Sequence, residues 1–214
     1  DKIFHTRNAI NRWIEWVDIK KKDPNLFVYN ASVTKGMIPL VEKIWPRLKQ
    51  RLPNAKLKII GGYYNFRDES GMSPAQKDVI RLQKLTENDP SVEFTGIIPQ
   101  PKIAEIMANA TYNLYPGAFP ETSGISTIES INYNTPILGT KFGAMEESGT
   151  ELAGYYINYA IEPNGLFPWI NTDEQVDKYV NMVLGVVNNP YLHQQKQYAC
   201  NAAKDVSTLS LIHI

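Results

Sequence analysis

The chain has a single cysteine, Cys200, among 214 residues. That excludes an intrachain disulfide and any cysteine-built metal site, and it fits a reducing compartment. There is no surplus of either charge, since Lys+Arg and Asp+Glu both number 22. A nucleic-acid binder gains much of its affinity by neutralising phosphates with a basic excess, so that function class has no support. No apolar run approaches the roughly 20 residues that span a bilayer. The opening Asp1-Lys2-Ile3-Phe4-His5-Thr6-Arg7 lacks the apolar stretch of a signal peptide, so a cytoplasmic location is the expectation. A Walker-type glycine–lysine loop, a Gly-x-Gly-x-x-Gly dinucleotide fingerprint and an Asp-x-Asp motif are all missing. The first absence argues against nucleoside triphosphate hydrolysis and the second against a dehydrogenase. His5, His193 and His213 are scattered, match no metal spacing, and read as surface or terminal residues.

What is present is an ordinary globular composition, 43% hydrophobic and 21% charged, with a regular alternation of short apolar runs and longer amphipathic ones. Leu26-Phe27-Val28-Tyr29 reads as a buried strand, followed by a helical pattern with Met37, Leu40, Val41, Ile44 and Leu48 on one face. Leu57-Lys58-Ile59-Ile60, Val92-Glu93-Phe94-Thr95, Tyr112-Asn113-Leu114-Tyr115, Pro136-Ile137-Leu138 and Tyr156-Ile157 supply five more strands. Helices are expected after Ser73-Pro74, from Pro101, from about Ser123 to Asn132, and over roughly 172–187 and 190–204. Crossovers of this length demand a parallel sheet covered on both faces. The expectation is therefore a doubly wound, Rossmann-like α/β domain of about six strands, with ligands at the carboxyl ends of the strands. Residues 1–25 fit no strand–helix unit and read as a linker left from a preceding domain, 26–205 as the Rossmann-like domain, and 206–214 as a tail.

Three strand-end loops carry chemistry. Asn30-Ala31-Ser32-Val33-Thr34-Lys35-Gly36 joins a cationic side chain to the unpaired N–H groups of a helix start, which makes an anion site. Gly61-Gly62 lets backbone approach a ligand, or simply turns tightly. In the third loop, Tyr115 to Glu129, two glutamates flank an amide-rich turn: Glu121 lies in the loop and Glu129 on the second turn of the helix. A carboxylate accepts two hydrogen bonds in a fork, which suits a vicinal diol of a sugar or ribose. Against that, each glutamate alone reads as a solvated residue, and Glu129 lies off the Ile125–Ile128–Ile131 face.

The run Pro116-Gly117-Ala118-Phe119-Pro120-Glu121-Thr122-Ser123-Gly124, closing at Glu129 eight positions after Glu121, resembles the hallmark of the retaining GT-B glycosyltransferases, the family of phosphatidylinositol mannosyltransferases and sucrose synthase. Further pieces similar to that family follow in order: Lys35-Gly36, Ile59-Ile60-Gly61-Gly62, Val92-Glu93-Phe94-Thr95-Gly96 with Ile97-Ile98, Asn134-Thr135-Pro136-Ile137-Leu138, and Phe142-Gly143-Ala144-Met145-Glu146. The resemblance covers roughly residues 26–205. It implies the carboxyl-terminal, donor-binding half of a GT-B enzyme, one Rossmann-like domain of two, with the acceptor domain preceding it. The implied substrate is a nucleotide-diphosphate sugar such as a UDP- or GDP-sugar, and no separate cofactor is needed.

Carried onto this sequence, the resemblance implies that Lys35 holds the diphosphate and that Glu121 binds hydroxyls of the transferred sugar. Backbone around Thr122, Ser123, Gly124 and Ile125 would assist Glu121, with Ser126 near the distal phosphate or ribose. Glu129 would take the ribose diol, Gly96, Ile97 and Ile98 would wall the base, and Gly62 would also line the donor site. Glu121 and Lys35 would be the catalytic pair. Where the family has an arginine, five positions before the lysine, this chain has Asn30, which keeps hydrogen bonding and loses the charge. Fixed N–H donors and a lysine can stabilise a leaving diphosphate without a divalent ion, so no metal is expected. The implied setting is cell-envelope polysaccharide synthesis, inactive as an isolated half, with any peripheral membrane contact made through the other half.

Two rivals remain at this point. A sugar-nucleotide epimerase of the same architecture would need acid–base groups in the cleft, and the two glutamates alone do not decide. A non-catalytic ligand-binding module, such as a signalling receiver, would need an acidic cluster at the strand ends, where Asn25, Asn30 and Gly61-Gly62 stand instead. Tyr63, Tyr64 and Phe66 could stack on a ligand or cover an interdomain face, and Trp13 and Trp16 share the second of these readings.

Overall fold

The expected alternation is realised in the computed structural model, which describes residues 13–14, 17–61, 71–117, 124–141, 143, 145, 154–157, 170 and 172–203. Six strands form one sheet: β1 Asp23–Asn30, β2 Lys56–Ile60, β3 Val92–Gly96, β4 Ala110–Tyr115, β5 Ile137–Thr140 and β6 Gly154–Ile157. Every neighbouring pair is parallel, and the spatial order is β3-β2-β1-β4-β5-β6. The chain winds outward from β1 to β3, then crosses back to lay β4 beside β1. Such a reversal opens a crevice at the carboxyl ends of β1 and β4, where doubly wound sheets bind ligands.

Helices cover both faces, as parallel strands with two buried sides require. Alternate residues of β1 divide the core. Phe27 and Tyr29 point into one layer with Leu57, Ile59 and the helical run α1, residues 37–51. That layer also takes α2, Pro74–Thr86, through Leu82, and α5, Asp173–Val187, through Val176, Tyr179, Val180 and Val183. Leu26, Val28 and Ile60 point the other way, onto Ala104 and Met107 of α3, Gln100–Asn109. The same side carries α4, Ile125–Asn132, and α6, Pro190–Ala203, joined by the buried pair Ile131 and Cys200. Ring contacts weld β1 to β4: Phe27 stacks on Tyr112 at 5.9 Å and Tyr29 on Tyr115 at 6.4 Å.

Capping boxes start α2 at Ser73 and α5 at Thr172, each with a glutamine at the third helical position. In α1, Pro46 has no N–H to continue the ladder, and the helix widens to π geometry over Leu40–Ile44, with the Trp45 N–H reaching the Leu40 carbonyl. Among the described residues no helix is long and apolar enough to cross a membrane.

Three details depart from the sequence expectations. The first strand starts at Asp23, ahead of the expected boundary, and Val17 and Lys22 before it are buried. Lys22 Nζ donates to the Ala110 carbonyl at 2.7 Å, to Thr135 Oγ1 at 3.0 Å and to the Met107 carbonyl at 3.3 Å. Burial lowers its pKa to about 7. His193, expected at the surface, is half-buried with its ring edge-on to Tyr112 at 4.7 Å, and desolvation lowers its pKa to about 4. Trp13 is half-exposed, while Trp16, His5, His213 and the tail 206–214 lie outside the described residues.

Candidate functional site

The crevice at the switch point is built from two loops packed backbone to backbone. After β1 the chain makes a 3-10 turn, Val33–Lys35, held by the Tyr29 hydroxyl donating to the Ser32 carbonyl at 2.6 Å. Gly36 then takes φ 112°, a conformation that side chains rarely adopt. A Cβ on Gly36 would lie 2.8 Å from the Gly117 nitrogen, and one on Gly117 would lie 2.2 Å from the Lys35 carbonyl oxygen. Only glycine at both positions lets the Lys35 loop touch the Pro116-Gly117 loop that follows β4. The Thr140 hydroxyl, at the end of β5, donates to the Gly117 carbonyl and fixes the second loop from its other side.

The amide-rich turn leads into α4. Gly124 is its N-cap at φ 62°, and its carbonyl accepts from the N–H groups of Thr127 at 2.8 Å and Ile128 at 3.1 Å. Ile125 and Ser126 are the first residues of α4, where backbone N–H groups point out of the helix end and the helix dipole is positive. Ser126 is half-buried and its hydroxyl donates to the Asn30 carbonyl at the end of β1. Asn113, fully buried in β4, reaches α4 from below, donating from Nδ2 to Ser130 Oγ at 2.8 Å and towards Ser126 Oγ at 3.4 Å. The start of α4 is thereby pinned to both central strands.

Glu129 is 6% exposed, against the sequence expectation that a position off the isoleucine face is solvated. Its Oε2 accepts from Asn30 Nδ2 at 2.5 Å, and the Gln100 side chain also hydrogen-bonds it. Burial pushes the carboxyl above its ordinary value, and the two amide hydrogen bonds pull it back only partly. Asn30, Gln100 and Glu129 come from β1, α3 and α4, so three separate elements meet at one carboxylate.

Beside Gln100 runs the β3–α3 turn. Gly96 sits at φ 65°, its carbonyl accepting from the Gly61 N–H at 3.0 Å. Ile97 is 58% exposed, while Ile98 packs on the cluster of Val28 and Ile60. Of the residues expected at the site, the structure thus gathers Asn30, Ser126 and Glu129 in direct hydrogen bonding, and places Gly96, Ile97 and Ile98 on the turn that supplies Gln100. Lys35 borders the crevice through its contact with Gly117, and Gly124 and Ile125 form the helix start. Glu121, Thr122, Ser123 and Gly62 lie outside the described residues, as do Tyr63, Tyr64, Phe66 and Glu146. Gln100 and Asn113 are contributors that sequence reasoning missed. A polar residue inside the apolar run Tyr112-Asn113-Leu114-Tyr115 signals a buried partner; Gln100 carries no such mark. Among the described residues no group of three His, Cys, Asp or Glu side chains is gathered in a way that could hold a metal ion.

The family model described as glycosyl transferases group 1 matches residues 25–164. The chain belongs to that family. No curated protein sequence matches it. Among solved structures it is similar to the pneumococcal O-GlcNAc transferase GtfA in complex with UDP and GlcNAc, at 12% identity and a TM-score of 0.67 over 96% of this chain and 36% of that one. Anabaena HepE in complex with UDP and glucose matches at 14% identity and a TM-score of 0.61, over 88% of this chain and 45% of that one. Sucrose-phosphate synthase from Thermosynechococcus elongatus matches at 16% identity and a TM-score of 0.65, over 87% of this chain and 42% of that one. The chain therefore spans less than half the length of each of these structures. At such identities the likeness is one of fold, and the fold is the Rossmann-like α/β domain expected from the sequence.

Proposed function

We propose that this chain is the donor-binding half of a retaining glycosyltransferase, acting on a nucleotide-diphosphate sugar without a divalent ion. The observation that carries this reading is the convergence, at one switch point, of the Lys35 loop, the donor-rich start of α4 and the buried Glu129 carboxylate. The parts match the ends of such a donor. A diphosphate needs cationic and N–H donors, supplied by Lys35 and the first turn of α4. A ribose diol needs a buried acceptor, supplied by Glu129. Breaking the sugar–phosphate bond leaves negative charge on the diphosphate and positive character on the sugar ring. Fixed donors in a crevice stabilise that charge with little reorganisation, so they lower the barrier more than they tighten the ground state. Glu121 would meet the transferred sugar, and a preceding domain would bring the saccharide or other acceptor.

UDP is the first nucleotide to test, because the GtfA and HepE structures hold UDP. Thermal-shift screening of the chain with UDP, GDP and their sugars, with NAD and acetyl phosphate as controls, decides the class of ligand. Stabilisation by a nucleoside diphosphate alone is expected, and Glu129→Ala should abolish it. A shift produced by NAD or acetyl phosphate, or one that survives Glu129→Ala, would refute the proposal.

A further inference from the structure

Asn30 ends β1 at the switch point, five positions before Lys35, and its side chain is turned to α4. Its Nδ2 donates to Glu129 Oε2 at 2.5 Å, while the Asn30 backbone carbonyl accepts from the Ser126 hydroxyl. The residue is thus held at both ends by α4. Gln100, exposed at the first turn of α3, reaches the same carboxylate from a different element. A carboxylate offers about four acceptor sites, so two amide donors leave room for the two hydroxyls of a diol. Two amides that fix a carboxylate add no competing positive charge and no donor aimed at phosphate. They set its plane and its rotamer.

We infer that Asn30 and Gln100 are positioning residues for the nucleoside end of the donor, holding Glu129 for the ribose hydroxyls, and that Asn30 does not serve the diphosphate. This rests on the donor-binding reading above. The diphosphate then relies on Lys35 and on backbone N–H groups, and selectivity for a ribonucleotide is concentrated in the three-residue set Asn30–Gln100–Glu129.

The test is calorimetric titration of the chain with UDP, UMP and 2′-deoxy-UDP, for wild type, Asn30→Ala, Gln100→Ala and Asn30→Arg. Folding of each variant is checked by its unfolding transition. The wild type should prefer UDP over 2′-deoxy-UDP. Asn30→Ala and Gln100→Ala should each shrink that preference by about 3- to 10-fold, the scale of one ordering hydrogen bond, while leaving the UDP-to-UMP ratio within about 2-fold. Asn30→Arg should raise the UDP-to-UMP ratio and lower the ribose preference, since its charge is recruited to the diphosphate at the expense of Glu129. Equal losses for UDP and 2′-deoxy-UDP would reduce both residues to structural supports and overturn the inference. So would a fall in the UDP-to-UMP ratio in Asn30→Ala, which would place Asn30 at the diphosphate. A wild type that binds none of the three, nor the guanosine series, would instead bring down the donor-binding reading itself, and the inference with it.

Discussion

A methyl group placed on Gly117 would stand 2.2 Å from the Lys35 carbonyl oxygen and 3.2 Å from a ring carbon of Tyr115. The first contact is with backbone, which cannot rotate away, so the two loops must separate by about 1 Å to reach ordinary contact. Overpacking of that kind costs about 1–3 kcal/mol. For a chain of this size each kcal/mol shifts Tm by about 2–4 °C, so Gly117→Ala should lower Tm by about 2–12 °C. The same displacement moves the Lys35 loop off the Pro116-Gly117 loop that precedes α4. A positional error of this size in a charge-stabilising site should weaken UDP binding by about 10- to 100-fold. Gly185 is the control: it lies within α5, exposed, with nothing within 4 Å of an added Cβ. There the helix preference for alanine should raise Tm by about 1–4 °C and leave UDP binding untouched. Differential scanning calorimetry and titration of UDP on the three proteins decide the matter. If Gly117→Ala unfolds and binds like the wild type, the two loops do not meet as described and the crevice is not built by their contact.

Glu129→Gln should act in opposite directions on folding and binding. The buried carboxyl has a raised folded pKa, so its ionised form costs folding free energy that is absent below the ordinary carboxyl range and grows as pH rises through the folded value. The amide should therefore raise Tm at pH 7 by an amount that shrinks toward pH 4, while weakening UDP binding by about 10- to 150-fold, the worth of a charge-assisted hydrogen bond. A destabilised variant that still binds UDP would contradict both halves. Lys22 has its folded pKa lowered to about 7, so the folded state holds fewer protons than the unfolded one between that value and the ordinary 10.5. Stability should rise across this window by about 1.4 kcal/mol per pH unit from this group, and Lys22→Met should lose that slope. Chemical denaturation at pH 7, 8 and 9 reads it; an unchanged slope in Lys22→Met would show that the ammonium group is solvated. Lys35→Ala should weaken UDP more than UMP by about 10-fold, as loss of a diphosphate cation requires, and an equal loss for both nucleotides in titration would move Lys35 off the diphosphate.

Much of the architecture was legible because it depends on local pattern. Apolar runs such as Leu57-Lys58-Ile59-Ile60 and Tyr112-Asn113-Leu114-Tyr115 are short, β-favouring and bounded by turn residues, and buried strands of a parallel sheet have no other appearance. Ser73-Pro74 announces a helix start through side-chain chemistry confined to four residues. Lys35-Gly36 and Gly124 were readable as loop devices for the same reason: their conformations are set by their own backbone.

The tertiary structure alone decided what those devices do together. The order β3-β2-β1-β4-β5-β6 brings the loop after β1 against the loop after β4, 81 positions apart between Gly36 and Gly117, and no local pattern encodes that pairing. Helical periodicity put Glu129 on a solvated face, yet α4 lies between strands and neighbouring helices, and burial there depends on Asn30 and Gln100 arriving from elsewhere in the chain. Lys22 reads as one more cation of a basic stretch until the carbonyls of Met107 and Ala110 and the hydroxyl of Thr135 close around its ammonium group. Secondary structure follows from forces between near neighbours along the chain; a binding crevice and the charge states within it follow from which distant segments exclude water from each other.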